Sequence, residues 1–167
     1  LHELVHSFPT RRSSDLAFVS AGTPITKEPN GLARSDGKRP DGLTLVPWSQ
    51  GKPLTWDVTV ICSSADSYIG ASERNAGAAA ELAAARKNDK YSGLTTSHIF
   101  EPIAIETLGP FNLSALVLLG ELCRRISTNS NDLRESSYLF QRLSLNIQRF
   151  NAILIHETFM STDYQEQ

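Results

Sequence analysis

Asp41 and Asp57 stand in apolar company on either side of a turn. Asp41 opens the run DGLTLVPW, Asp57 lies inside LTWDVTVIC, and SQGK turns the chain between them. Both runs read as strands. The second is β-branched and aromatic. In the first, Leu43 and Leu45 share one face, and Thr44 and Val46 the other. A hairpin folded about Ser49 sets the two aspartates equally far from the turn, and so opposite each other. Facing side chains in such a pair are about 4.5–5.5 Å apart at Cβ, and like charges there destabilise unless a cation bridges them. Two carboxylates, with water completing the shell, suit Mg²⁺. An ion held that way activates water and stabilises a phosphoryl transition state. The plainer alternative is that both aspartates face solvent.

A basic group is missing beside Asp57. Thr59, two residues on and on the same face, is neutral. The next lysines are in SERNAGAAAELAAARKNDKY, Ser72 to Tyr91, a helix that Ser72 can cap and that ends in Arg86, Lys87 and Lys90. Lys87 continues the small stripe Ala76, Ala80, Ala83, and Tyr91 is one turn further. A face so slim packs closely on a sheet. It would bring Lys87 or Lys90 toward the carboxylates, where an ammonium orients water or neutralises phosphate. Equally, both lysines can serve only the helix dipole. Glu28 and Glu106, at strand ends, are further acidic candidates, Glu28 as an added metal ligand; both are open to structural roles. Trp48 and Trp56 read as core and hairpin packing.

Around this site the elements alternate. TPITKEP (Thr23 to Pro29) is a short strand, NGLARSDGKR a loop, and HIFEPIAIETLG (His98 to Gly109) a strand edged by Pro102. NLSALVLLGELCRRIS is an apolar helix capped by Asn112. The stretch from Asn131 to Phe159 is a long amphipathic helix with the stripe Leu139, Leu143, Ile147, Phe150, Leu154. The expected fold is α/β: a mixed sheet with a β-hairpin, a crossover helix and a further strand, followed by C-terminal helices.

The motif RPD (Arg39 to Asp41), the spaced Asp57 in WDVTV, the helical ARKNDKY and the strand IAIETLG together resemble the PD-(D/E)XK restriction-endonuclease-like nucleases. They are most similar to the C-terminal endonuclease region of non-LTR retrotransposon reverse-transcriptase proteins, over roughly residues 20 to 160. The resemblance implies a restriction-endonuclease-like core and a Mg²⁺- or Mn²⁺-dependent endonuclease that nicks DNA to prime reverse transcription. Asp41 and Asp57 would be metal ligands, Lys87 or Lys90 the catalytic cation moved from strand to helix, and Tyr91 an accessory. The partners implied are DNA and an upstream reverse-transcriptase region of a parent polyprotein, in the nucleus. The departures are Thr59 in place of the strand lysine and the absence of a first core helix, zinc knuckle and polymerase from this chain.

The 167 residues suit one domain with enough apolar content for a core. A net charge of −2 supplies no general pull toward nucleic acid. His2, His6, His98 and His156 are scattered, and Cys62 and Cys123 read as buried reduced thiols with no CxxC motif for zinc. No apolar run approaches the about 18 residues of a membrane helix. HSFPTRRSSDL (His6 to Leu16) lacks an apolar period and resembles a translated adapter remnant. Residues 1–16 are therefore expected to be non-native or disordered, with a nuclease-like core over 17–110, a helical extension packed on it over 111–160, and a tail at 161–167. Two other functions stay open: an inactive remnant acting as a nucleic-acid-binding or structural module, and a resolvase-like nuclease acting on branched DNA.

Overall fold

Alternation along Leu54–Ile61 builds the layers of this protein. The computed structural model describes residues 9–32 and 37–162, with side chains at 13–32 and 37–156. Its elements are α1 (Pro9–Ser20), β1 (Ile25–Lys27), β2 (Gly42–Thr44), β3 (Leu54–Ile61), α2 (Ile69–Ser72), α3 (Ala78–Tyr91), β4 (Ile99–Glu106), α4 (Leu113–Ser130) and α5 (Glu135–Thr162). The sheet is mixed, in the order β1-β2-β3-β4. The first three strands are antiparallel, and β4 returns parallel to β3 after the crossover through α3. Pro102 is tolerated because β4 is an edge strand.

One face of β3 and β4, with Leu54, Trp56, Val58, Ile103 and Ile105, packs under α1, α4 and α5. The other, with Ile61 and Ala104, receives Ala79, Ala80, Ala83 and Ala84 of α3. Side chains alternate along a strand, so Thr55, Asp57 and Thr59 fall on the α3 side. Leu118, Leu119 and Leu122 of α4 and Leu139, Leu143 and Ile147 of α5 join Trp56 in one cluster. The segment after 110 is thus half of the main core, and no separate core marks a boundary there.

The hairpin register is the one a fold about Ser49 requires: Gly42 faces Trp56 and Leu43 faces Thr55. The tight turn itself is at Gln50–Gly51, both at positive φ (50° and 74°), the backbone of a two-residue primed turn. Leu45 to Trp48 absorb the offset. The Leu54 N–H bonds the Thr44 side-chain Oγ1 rather than a backbone carbonyl of β2, and Pro47 has no N–H to give. The strand expected over Asp41 to Trp48 is therefore cut to Gly42–Thr44.

Gly42 makes room for the Trp56 indole. A Cβ there would fall 2.1 Å from Cζ2 of the ring. Gly42→Ala is expected to cost about 1–3 kcal/mol through overpacking, read as a lower denaturant midpoint; an unchanged midpoint would mean the ring has room to shift.

Several expectations change. The domain start expected at Ala17 falls inside α1, where Ser13, Ser14 and Asp15 are already buried and Phe18 stacks on Trp56 at 4.1 Å between ring centres. A helix therefore does precede the first strand. Residues 1–8, Asp36 and 163–167 lie outside the described residues, and α5 runs past the expected tail boundary to Thr162. The helix expected from Ser72 is two helices, because Gly77 (φ 88°) breaks it, and Ser72 caps neither; its Oγ is buried without a partner. Asn112 stands at the N-cap of α4, but its side chain turns to β4. Asn112 Oδ1 accepts the Ala104 N–H (2.8 Å), and Nδ2 donates to Pro102 O (3.2 Å), which closes part of the sheet edge. Of the two free thiols, Cys123 is buried but Cys62 is exposed. Among the described residues, no helix is long and apolar enough to cross a membrane.

Glu101 projects to the α4 side beside Trp56, its register partner. Its Oε1 is buried with no partner. Burial raises its carboxyl above the usual range, against the opposing effect of a hydrogen bond from Ser114. A carboxyl raised by folding stabilises the fold while protonated, and that contribution is lost as pH rises from the unfolded to the folded pKa. Glu101→Gln is expected to stabilise the chain at pH 7 and to lose that advantage in acid; thermal melts at the two pH values check both signs.

Candidate active site

The site is assembled from a strand end, a strand centre and a helix face. Asp41 lies one step before Gly42, whose partner across the hairpin is Trp56. Its own N–H donates to Trp56 O (2.9 Å). Its Oδ2 accepts the Val58 N–H at 2.7 Å. That bond anchors the carboxylate against β3, beside Asp57. Both side chains are buried, Asp41 at 7% and Asp57 at 3% exposure. Burial of two acids side by side disfavours having both charged unless cations or donors offset them.

Lys87 supplies one such offset. Its Nζ forms an ion pair and hydrogen bond with Asp57 Oδ2. The helix reaches that point because its alanines lie flat on the sheet and its start is pinned. Glu106, at the end of β4, accepts the Ala79 and Ala80 N–H groups at 3.1 and 3.2 Å through Oε1, and the Ser63 hydroxyl through Oε2 (3.3 Å). Gly77, at the N-cap, carries no side chain to do this. A carboxylate at a helix N-terminus is favoured by the dipole as well. Glu106 is therefore the anchor of α3, at its far end from Lys87.

The other candidates are placed differently. Lys90 is exposed in the last turn of α3 and makes no ion pair among the described residues. Tyr91 is buried at 4% exposure against Phe100, with ring centres 4.6 Å apart, so packing is its observed role. Glu28 is exposed, but its N–H bonds Asp41 O (3.0 Å), which keeps the residue beside the acid pair. Arg39 Nη1 bonds Asn30 Oδ1 and donates to Glu28 O (3.4 Å), tying down the loop that leads into Asp41. Sequence reasoning missed the Val58 N–H, which has no residue-type signature, and the helix-capping use of Glu106, whose only signal was a carboxylate at a strand end.

The donor set fits a hard divalent cation. Mg²⁺ is commonly bound by one or two carboxylates plus waters and substrate phosphate. Asp57 Oδ1 makes no hydrogen bond among the described residues. No group of three or more His, Cys, Asp or Glu is gathered among them, so two aspartates would have to serve, with Glu28 at the margin. Comparison with protein-family models and with curated proteins finds no match for this chain.

Proposed function

We propose that this chain is a Mg²⁺-dependent DNA endonuclease domain with a restriction-endonuclease-like core, of the kind found at the end of retrotransposon-type polyproteins. The observation that carries the reading is the meeting of Lys87, from the crossover helix, with Asp57 on the central strand. A chain whose lysine had only a dipole to serve would not need it aimed at a buried carboxylate. Asp41 and Asp57 would hold the cation, which when bound supplies charge neutralisation and an activated water. The Val58 N–H holds Asp41 in place. Lys87 holds Asp57 and presents a positive charge to an entering phosphate. Thr59, on the same face, carries no charge, so the lysine work falls to α3.

Nicking of supercoiled plasmid in Mg²⁺ or Mn²⁺ tests this. Asp57→Ala is expected to abolish the activity, and activity that survives the substitution would come from elsewhere.

A second reading is supported by burial. Asp57 already has a counter-ion in Lys87 and both carboxylates are mostly covered, while the net charge of −2 does little to gather DNA. On that reading the fold persists as a nucleic-acid-binding or structural module, and wild-type chain fails to nick under every metal condition.

A further inference from the structure

We infer that Lys87 is the resident counter-cation of the acid pair, so that a divalent ion and the Lys87 ammonium compete for Asp57. The inference rests on the proposed metal-dependent reading and adds a rule for how the site is loaded.

The ion pair joins groups of unequal exposure. The Asp57 side chain is 5% exposed and that of Lys87 25%. The carboxylate is fixed in the sheet, whereas the ammonium sits on a flexible four-carbon stem whose remaining surface is open to water. Charge arithmetic sets the competition. Of the two carboxylates, Asp57 is already offset by the Lys87 ammonium. A dication entering between them meets a positive charge already on Asp57, and in a partly desolvated site that repulsion is poorly screened. Holding both cations on one carboxylate is therefore unfavourable.

Helix movement is a poor way to relieve the conflict. Ala79 and Ala80 are fully buried, Ala83 and Ala84 nearly so, and Glu106 fastens the first turn of α3 through two N–H groups. Backing α3 off the sheet would open a cavity along the alanine stripe. The lysine side chain is the cheaper part to move. Rotating it off Asp57 Oδ2 frees that oxygen and leaves the ammonium at the mouth of the site, where a bound phosphate would meet it.

Isothermal titration calorimetry with Mn²⁺ on the full chain tests the rule without any activity readout. Lys87→Met should bind Mn²⁺ about tenfold more tightly than wild type or better, and Lys87→Arg, which keeps the charge, should stay within about threefold of wild type. Equal or weaker binding by Lys87→Met, with wild type binding normally, overturns the competition and leaves the metal site standing. No binding by any of the three overturns the metal reading itself, and the competition with it. Should Lys87→Met fail to fold, the Lys87 ammonium signal of the wild-type chain, followed by NMR during Mg²⁺ addition, gives the same decision. It should shift, with faster proton exchange, as the ion pair opens; a signal that holds still at saturating metal overturns the proposal.

Discussion

Asp41→Asn is expected to lose metal-dependent nicking by about 10²–10⁴-fold, the worth of several kcal/mol of transition-state stabilisation, and to melt no lower than wild type. The amide keeps the shape of the carboxylate, and its oxygen can still accept the Val58 N–H that Asp41 Oδ2 takes at 2.7 Å. Only the charge is removed, and it is removed from a carboxylate held on the N–H of Val58, next in the chain to a second buried aspartate. Taking away one of two like charges relieves the folded state. Asp57→Asn is the instructive contrast. It leaves Lys87 facing a neutral group in a partly buried site, so activity and stability should fall together. Plasmid nicking and thermal melts on both variants separate the two effects. Retained nicking in Asp41→Asn would remove Asp41 from the site, and a large drop in melting temperature would show that its charge serves the fold.

Trp56→Ala carries the largest expected stability effect, about 3–5 kcal/mol for a fully buried aromatic. Trp56 is 0% exposed. Its ring stacks on Phe18 of α1, covers Gly42 of β2, and stands among the leucines of α4 and α5. One side chain thus joins the N-terminal helix, the hairpin and the C-terminal helices. Its Nε1 has no hydrogen-bond partner, and an unsatisfied buried donor is itself costly. Both Trp56→Phe and Trp56→Ala remove the orphaned N–H, but Trp56→Phe keeps most of the buried ring area and should cost clearly less. Guanidinium denaturation of the two variants reads the difference, and equal losses would mean that a phenyl ring recovers none of the packing the indole provides.

Much of the arrangement around Asp57 was legible in the residues. The β-branched run Leu54 to Ile61, the alanine stripe and the spacing of the two strands about Ser49 are local patterns, and the register they imply is seen at Gly42–Trp56 and Leu43–Thr55. The Lys87 contact followed from the same logic, since a residue on the alanine stripe has to meet the strand beneath it. What escaped is non-local. Gly77 breaks the helix that Ser72 was expected to start, and the missing cap comes from Glu106, on a strand that follows α3 in the chain. Asn112 had the sequence of a helix cap, yet the unpaired edge of β4 offered its amide two backbone partners. The polar run Arg11 to Asp15 hid α1, because a helix of low apolar content shows little periodicity, and Phe18, with Ala17 beside it, seats it in the core against Trp56. Tyr91, whose place one turn beyond Lys87 suggested chemistry, is buried against Phe100, a contact with no local signature.

The question on which the rest depends is whether Asp41 and Asp57 hold a metal together. Diffraction from crystals soaked in Mn²⁺, read by anomalous scattering, answers it most directly. The expected result is a peak within coordinating distance, about 2.0–2.2 Å by analogy with hard divalent ions, of both carboxylates, with the Lys87 ammonium drawn off Asp57. A saturating soak that leaves no peak there, with Lys87 still paired to Asp57, would contradict the metal site and the endonuclease built on it.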